Sequence, residues 1–242
     1  MSTPTFAPLR GQQVVIIGGG SGIGLATAHL AASIGAKVCV VGRDAERVKQ
    51  LREQQPQWTV LKADLKSDAQ IVAAFAQLDA VDHVFITAGT VSATPVLESS
   101  FEALQAPFEE RVFGVLRVVR AALPKMTMGS VTFLSGDLVD RPVAGLCAVV
   151  AAASATEALA RTLALELAPV RFNTISPGSI DTPLHDKLFG RERDDMLAVQ
   201  AARLPGKRVG QPEEVAHLAV TIMQVGYINA SVFPIDGGLR YV

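Results

Sequence analysis

Residues 16–28 read IIGGGSGIGLATA, and this stretch decides the fold. An apolar β-branched run ends here, Gly18, Gly22 and Gly24 follow, and residues with helical periodicity begin directly afterwards. Glycine lets the backbone turn sharply and approach a pyrophosphate without a Cβ in the way, and the next helix offers free N–H groups at its positive end. Such a turn also occurs without a ligand, but its place between the first strand and a helix favours a nucleotide site.

The rest of the chain repeats this alternation of strand and helix. Short apolar runs predict seven strands, at 14–17, 37–41, 59–61, 83–86, 130–134, 171–175 and 232–235. Helical periodicity fills the intervals, for example in LATAHLAASIG (25–35), AERVKQLREQ (45–54), DAQIVAAFAQL (68–78) and FEERVFGVLRVVRAALPKM (108–126). Continuous apolar strands are typical of a parallel sheet that is covered on both faces. We therefore predict an α/β fold, a single Rossmann-type doubly wound domain over residues 1–242.

One long excursion separates the sixth strand from the last helix. It reads TPLHDKLFGRERDDMLAVQAARLPGKRVGQP over residues 182–212. An insertion at the carboxyl edge of such a sheet typically covers a ligand, so we predict a substrate lid at about 183–210.

Composition excludes several classes of function. The 242 residues are 49% hydrophobic with a formal net charge of −1, which gives no basic surface for nucleic acid or for an anionic membrane. Cys39 and Cys147 have neither metal nor redox spacing and are expected to be small buried apolar residues, so no metal site is predicted. The segment MSTPTFAPLRG lacks a signal-peptide core, and apolar runs fall short of the roughly 18 to 20 residues of a membrane span. We expect a cytoplasmic protein.

Further motifs follow the glycine loop in order. They are ADL at 63–65, TAG at 87–89, ISPGSIDTP at 175–183, GKRVGQPEEVAHLA at 206–219 and IDGG at 235–238. With the G-x-x-x-G-x-G loop, they make the chain resemble a short-chain dehydrogenase/reductase of the roughly 250-residue kind, nearly from end to end. The resemblance implies that Asp64 binds adenine and that the segment around Pro177 binds the nicotinamide amide. The implied cofactor-binding residues are Gly18, Ser21, Gly22, Ile23, Gly24, Arg43, Asp64, Leu65, Ala88, Gly89, Pro177, Gly178, Ile180 and Thr182.

The end of the second strand indicates which dinucleotide is bound. An acidic side chain there holds the ribose hydroxyls of NAD, whereas the 2′-phosphate of NADP needs a cation. This chain has Gly42 followed by Arg43, and a guanidinium suits phosphate oxygens. NADP(H) is therefore favoured over NAD(H), although Arg43 could instead begin a solvated helix.

The resemblance also implies where the reactive side chains belong, and those positions hold other residues. The family uses a Tyr, a Lys four residues later, a Ser thirteen residues before the Tyr, and an Asn on the preceding long helix. In this chain the four positions are taken by Val149, Ala153, Gly136 and Arg111. The helix LCAVVAAASATEALARTLALEL (146–167) is aliphatic where the Tyr and Lys belong, and no Tyr-x-x-x-Lys occurs elsewhere in the chain.

Three nearby side chains are weak candidates for replacement chemistry. Ser135 is more typical of a local hydrogen bond, Asp137 of a turn, and His185 of an exposed lid residue. Burial could instead raise the pKa of Asp137 and make it an acid. Arg111 could bind a substrate carboxylate or phosphate, or its stem could reach the surface.

Two hypotheses of different class follow. The first is an atypical NADP(H)-dependent oxidoreductase that acts on a small carbonyl-type substrate, with a proton from water, Asp137 or His185. The second is a catalytically inactive nucleotide sensor or oligomeric partner, and a lyase or isomerase stays open as a third. The resemblance implies a homo-oligomer, a dimer or tetramer built through the two long central helices.

Overall fold

The computed structural model describes residues 8–242, apart from the side chain of Lys187, and contains one seven-stranded sheet. The segment 1–7, on which the expected lack of a signal peptide partly rests, lies outside the described residues. All strand pairs are parallel, in the order β3-β2-β1-β4-β5-β6-β7. The strands are β1 Gln13–Ile17, β2 Lys37–Gly42, β3 Thr59–Lys62, β4 His83–Ile86, β5 Ser130–Leu134, β6 Arg171–Pro177 and β7 Val232–Ile235. The predicted fold is confirmed, and every predicted strand is present to within two residues at each end.

Nine α-helices cover this sheet within the described part of the chain. They are α1 Gly22–Ser33, α2 Ala45–Gln54, α3 Asp68–Ala76, α4 Phe101–Phe108, α5 Val115–Ala122, α6 Cys147–Glu166, α7 Pro183–Phe189, α8 Arg193–Arg203 and α9 Pro212–Gln224. Alternate residues of β1 face opposite layers: Val14 packs with α1, α2 and α9, and Val15 packs with α3, α5 and α6. Because both faces are buried, the strands have no polar side to alternate with, which is why they read as continuous apolar runs.

The predicted helix over 108–126 is interrupted. The structure has α4, then a π-helical segment Glu109–Gly114, then α5. Pro107 lies inside α4, where it has no N–H for the helical ladder and its ring crowds the preceding turn. A π-turn accommodates one extra residue and changes which side chains face inward. Glu110 and Arg111 are both buried there, although both are charged.

Helix α6 is more apolar than a surface helix, and one reason is its position against the sheet. Its 20 residues have a mean hydropathy of 1.3 over 18 residues, which by length and composition alone would allow it to span a membrane. The expectation that no segment reaches that length is therefore wrong, but burial of residues such as Ala152 and Ala160 accounts for much of the apolar character. Cys39 is buried as expected; Cys147, at the first turn of α6, is exposed, contrary to the expectation.

The segment predicted as a lid forms α7 and α8 and is tied to the sheet edge at both ends. Asp181 and Gly210 are joined by a backbone hydrogen bond of 2.9 Å. Arg193 at the start of α8 pairs with Asp181, with Asp186 of α7 at 2.9 Å, and with Asp194 at 2.7 Å. One arginine thus holds the two lid helices and the end of the β6 loop together.

We expect the turn before β5 to tolerate no side chain. Gly129 has φ +108°, and an ideal Cβ on it would lie 1.8 Å from the carbonyl oxygen of Asp82. Gly129→Ala should lower the free energy of unfolding by on the order of 3 kcal/mol because it combines backbone strain with overlap. Gly206→Ala is the control, since nothing lies within 4 Å of its Cβ position; its effect should stay within about 0.5 kcal/mol. Urea denaturation measures both, and equal effects would contradict this account.

Candidate functional site

A cleft of about 390 Å³ opens at the carboxyl ends of the strands. It lies beside the neighbouring strands β1 and β4, whose following segments run to opposite faces of the sheet. Such a switch point is where doubly wound sheets bind ligands. Every residue that the sequence assigns to the cofactor lines this one cleft: Gly18, Ser21, Gly22, Ile23, Gly24, Arg43, Asp64, Leu65, Ala88, Gly89, Pro177, Gly178, Ile180 and Thr182. Their shared position is a finding, and their role as cofactor ligands stays a prediction.

The glycine loop packs so closely that side chains are excluded. Gly18 has φ +87°, and an ideal Cβ on it would lie 2.7 Å from Thr87 Oγ1 at the end of β4. A Cβ on Gly24 would lie 2.6 Å from the carbonyl oxygen of Gly18. The loop and the first turn of α1 are therefore pressed against each other and against β4.

The amino end of α1 is open to an anion. Its N-cap residue, Ser21, makes no side-chain capping bond, and the first turn contains no acidic residue. The first N–H groups of a helix have no intrahelical acceptor, and here no side chain provides one. A pyrophosphate placed above the glycine loop would meet these N–H groups and the positive end of the helix, so the residues fit a dinucleotide.

The outer end of the cleft holds an ion cluster that the sequence analysis missed. Glu110 accepts hydrogen bonds from the backbone N and the hydroxyl of Thr90, at 2.7 and 2.6 Å. Its other oxygen lies 3.4 Å from Arg43 Nη1 and 3.6 Å from Lys66 Nζ. Burial alone would raise the pKa of Glu110, but the Thr90 hydrogen bonds and the two cations outweigh burial and lower it. Arg43, which is largely exposed, therefore faces the cleft beside one further cation and one carboxylate.

The four positions of the family's reactive residues are not equivalent in the structure. Val149 and Ala153 are 2% and 3% exposed on α6, within its packed face rather than among the residues that line the cleft. Gly136 does line the cleft, and the nearest atom to an ideal Cβ there is the Pro177 carbonyl oxygen at 3.9 Å. The two tyrosines, Tyr227 and Tyr241, are exposed and also absent from the lining.

Ser135 does not form the local hydrogen bond that the sequence favours but bonds to a different element. Its hydroxyl donates to a carboxylate oxygen of Glu157 on α6 at 2.7 Å. Ser135 is buried and borders the cleft next to Gly136, so this bond fixes the end of β5 against α6.

Asp137 follows in a short 3₁₀ turn, Asp137–Val139, and also lines the cleft. Burial raises the pKa of its carboxyl to about 6, and the charges of Asp236 and Asp140 add to this while hydrogen bonds from its own backbone oppose it. A carboxyl with this pKa is partly protonated near neutral pH. It can therefore donate a proton to a ligand in the cleft.

His185 is buried in the lid, which contradicts the expectation of an exposed side chain. It is 8% exposed, lines the cleft and packs on Phe189 with ring centroids 5.8 Å apart. Burial lowers its pKa, with the Arg193 charge acting in the same direction and Asp181 opposing both. The imidazole is thus held neutral at pH 7. The sequence missed its burial because the contact comes from the helical packing of α7.

Arg111 also differs from one of its two sequence interpretations, because its stem does not reach the surface. The residue is 8% exposed and lines the cleft. Its Nη1 and Nη2 donate to the carbonyl oxygens of Leu134 and Thr90, each at 3.5 Å. Burial lowers the pKa of its guanidinium, which still carries a full charge at neutral pH.

Comparison with known proteins agrees with this architecture. A family sequence model described as enoyl-(acyl carrier protein) reductase matches residues 18–240. Short-chain dehydrogenase/reductase ATR9 of Stachybotrys chlorohalonatus is 32% identical over 95% of this chain and 97% of its own length. Galactitol 2-dehydrogenase (L-tagatose-forming) of Cereibacter sphaeroides is 28% identical over 98% of each chain. The solved structure of the MalC reductase/Diels-Alderase of Malbranchea aurantiaca is similar with a TM-score of 0.87, at 27% identity over 96% of this chain and 97% of that one.

The raised pKa of Asp137 has a consequence for stability. Because the folded state holds this proton more tightly than the unfolded chain, the protein should lose stability as pH rises from about 3.8 to about 6. Asp137→Asn should then raise the free energy of unfolding by on the order of 3 kcal/mol at pH 8 and by little at pH 4. Asp79→Asn, at an exposed carboxylate that acts on no group of the cleft, is the control and should change little at either pH. Urea denaturation at the two pH values measures both; a gain for Asp137→Asn that does not depend on pH would contradict the assignment.

Proposed function

Since the chain belongs to the short-chain dehydrogenase/reductase family, we propose that it is an atypical NADP(H)-dependent oxidoreductase acting on a small carbonyl-type substrate in the cytoplasm. The observation that carries the proposal is that a nucleotide-sized cradle and a carboxyl of raised pKa, Asp137, face the same cleft. Relatives of similar length are named as reductases and dehydrogenases, which supports a redox reaction.

Binding of the dinucleotide is assigned to the two ends of the cleft. The N–H groups at the start of α1 take the pyrophosphate, and Asp64 with Leu65 borders the adenine. The segment from Pro177 to Thr182 binds the nicotinamide amide, and Thr182 packs against the glycine loop: an ideal Cβ on Gly22 would lie 3.2 Å from Thr182 Cγ2. The segment assigned to the nicotinamide and the loop assigned to the pyrophosphate are thus in direct packing contact.

The preference for NADP(H) rests on the charges at the outer end. Arg43 and Lys66 carry two positive charges and Glu110 one negative charge, so a net positive charge faces the ribose. A 2′-phosphate gains from this field, whereas the hydroxyls of NAD do not. Glu110 moderates the preference because it already occupies part of the hydrogen-bonding capacity of both cations.

The proton for reduction is assigned to Asp137. A nicotinamide bound in the cleft would supply the hydride for an electrophilic carbon, and the substrate heteroatom would then need a proton from the protein. Val149 and Ala153 have no proton to give, and Ser135 is bonded to Glu157. The protonated Asp137 carboxyl donates its proton to the heteroatom and is left as a carboxylate, which solvent reprotonates. His185 is the second candidate donor, but its lowered pKa leaves it mostly neutral.

A different class of function is favoured by the packing of α6. Val149 and Ala153 place aliphatic side chains at the buried face of the helix, which suits a nucleotide sensor or an oligomeric partner without turnover.

We also propose that the chain forms homo-oligomers, dimers or tetramers, through the outer faces of α5 and α6. Phe113, in the π-helical segment just before α5, and Leu165 on α6 are exposed, and Phe113 borders a surface groove between α5 and α6. A purified protein that binds NADPH but reduces no substrate class would favour the nucleotide sensor or oligomeric partner over the oxidoreductase.

Cofactor preference gives a direct test of the outer cluster. Arg43→Gln should weaken NADPH binding about five- to tenfold and leave NADH binding nearly unchanged, since the lost charge is partly screened. Glu110→Gln should strengthen NADPH binding roughly threefold, because it releases both cations. Nicotinamide fluorescence titration, with calorimetry, measures the dissociation constants of NADPH and NADH for the unaltered protein and for both variants. Tighter binding of NADH than of NADPH by the unaltered protein would overturn the proposed preference.

Turnover tests the role of Asp137. With NADPH and a panel of aldehydes, ketones, imines and activated alkenes, kcat/KM should fall as pH rises above about 6, because the protonated carboxyl is required. Asp137→Asn should reduce kcat/KM by about 10² to 10⁴ and remove this fall with pH, with the exposed Asp79→Asn as the control. An unchanged pH profile in Asp137→Asn would assign the proton to another group. Tight NADPH binding with no oxidation by any member of the panel would favour the sensor instead.

A further inference from the structure

We propose that Arg111 recognises a carboxylate on the substrate, so that the protein acts on anionic substrates. The proposal deepens the function above and rests on it for the identity of the site as a substrate site. It starts from a buried charge at the inner end of the cleft that forms no ion pair among the described residues.

Arg111 is a buried cation that forms no ion pair among the described residues, although the charge of the neighbouring Glu110 favours its charged form. None of the ion pairs among the described residues includes it. Its two protein acceptors are the neutral carbonyls of Leu134 and Thr90, both at the outer limit of hydrogen-bond distance, and its Nε has no acceptor among the described residues. Buried charges in proteins are normally paired, because desolvation without a counter-charge is costly.

None of the nearby acids forms an ion pair with Arg111. The carboxylate of Glu110 acts on the charge of Arg111 but is bonded to Thr90 and paired with Arg43 and Lys66. Glu157 accepts the hydroxyl of Ser135, and Asp137 belongs to none of the ion pairs among the described residues. An anionic ligand in the cleft would therefore give Arg111 its first direct ion pair.

The backbone is shaped to hold the guanidinium at this position. The π-helical turn directs Arg111 inward, and its carbonyl accepts a hydrogen bond from the buried hydroxyl of Thr156 on α6 at 3.1 Å. The guanidinium carbon lies 2.9 Å from where a Cβ of Gly89 would be, so only glycine leaves it room beside the end of β4. Gly136 adds open space just beyond the end of β5, where the nearest atom to an ideal Cβ is the Pro177 carbonyl oxygen at 3.9 Å.

The geometry of the group selects the ligand chemistry. A guanidinium offers planar pairs of N–H donors, which match the two oxygens of a carboxylate. The cofactor phosphates are assigned to the start of α1 and to Arg43, away from this position, so the carboxylate belongs to the substrate. A carbonyl compound bearing a carboxylate would thus place its charge at Arg111 while its reactive carbon faces the cleft.

Thermal unfolding with a matched pair of probes tests the proposal. Benzoate and its neutral analogue benzamide are added separately, with and without saturating NADPH. Benzoate should raise the melting temperature of the protein and benzamide should not, because only benzoate carries the charge. In Arg111→Gln the affinity for benzoate should fall at least tenfold, and in Arg111→Lys by less, since the charge remains and the planar fork is lost.

A second readout separates binding from a structural role. If the role of Arg111 is to bind an anionic ligand, the Arg111→Gln variant should have a higher melting temperature than the unaltered protein when no ligand is present. The reason is that the substitution removes a buried charge that forms no ion pair. A lower melting temperature or a failure to fold would make the arginine structural and overturn the proposal, as would equal responses to benzoate and benzamide. The arm without NADPH keeps the result independent of the cofactor: loss of NADPH binding with a retained, Arg111-dependent benzoate response would reject the proposed cofactor and not the carboxylate site.

Discussion

The close approach of the glycine loop to the end of β4 is the constraint on which the cleft depends. Gly24 can lie against the carbonyl of Gly18, and Gly18 against Thr87, only because neither glycine has a side chain. This contact sets the start of α1 over the carboxyl edge of the sheet, beside the ends of β1 and β4. The first N–H groups of the helix have no side-chain cap from Ser21 and border the cleft. The outer ion cluster and the inner arginine are arranged around the space that this contact defines.

Two adjacent buried residues of the cleft, Glu110 and Arg111, differ in how their charges are paired. Glu110 and Arg111 are neighbours in the π-helical segment, and the widened turn buries both. Glu110 is satisfied by Thr90 and two cations, whereas Arg111 meets only weak neutral acceptors. The same local distortion therefore produces one charge held in ion pairs and one charge that forms no ion pair among the described residues, and the second marks the position at which a ligand has more to contribute.

The sequence predicts the sheet well and the interior of the cleft poorly, for a physical reason. Strands buried on both faces leave a continuous apolar signal, and the glycine pattern reports backbone crowding that no other residue permits. The burial of Glu110 carries no such signal, because it depends on the π-turn and on cations from two other loops. Pro107, the seventh residue of α4, signals an irregularity, but the helix predicted from periodicity begins just after it at residue 108 and takes no account of it. The pKa of Asp137 likewise depends on Asp236, which is distant in sequence and adjacent in space.

The lid contacts made by Arg193 have a consequence for the rates of ligand exchange. Its partners are Asp181, Asp186 and Asp194, and the last two are largely exposed, so salt weakens these pairs far more than the buried contacts beneath them. Higher ionic strength therefore weakens the ion pairs that hold α7 and α8, and it does not weaken the packing of the glycine loop. Since the sequence predicts that this segment covers a ligand, we expect higher ionic strength to loosen the coupling of α7 to α8 and to speed ligand entry and exit together, with a much smaller change in affinity.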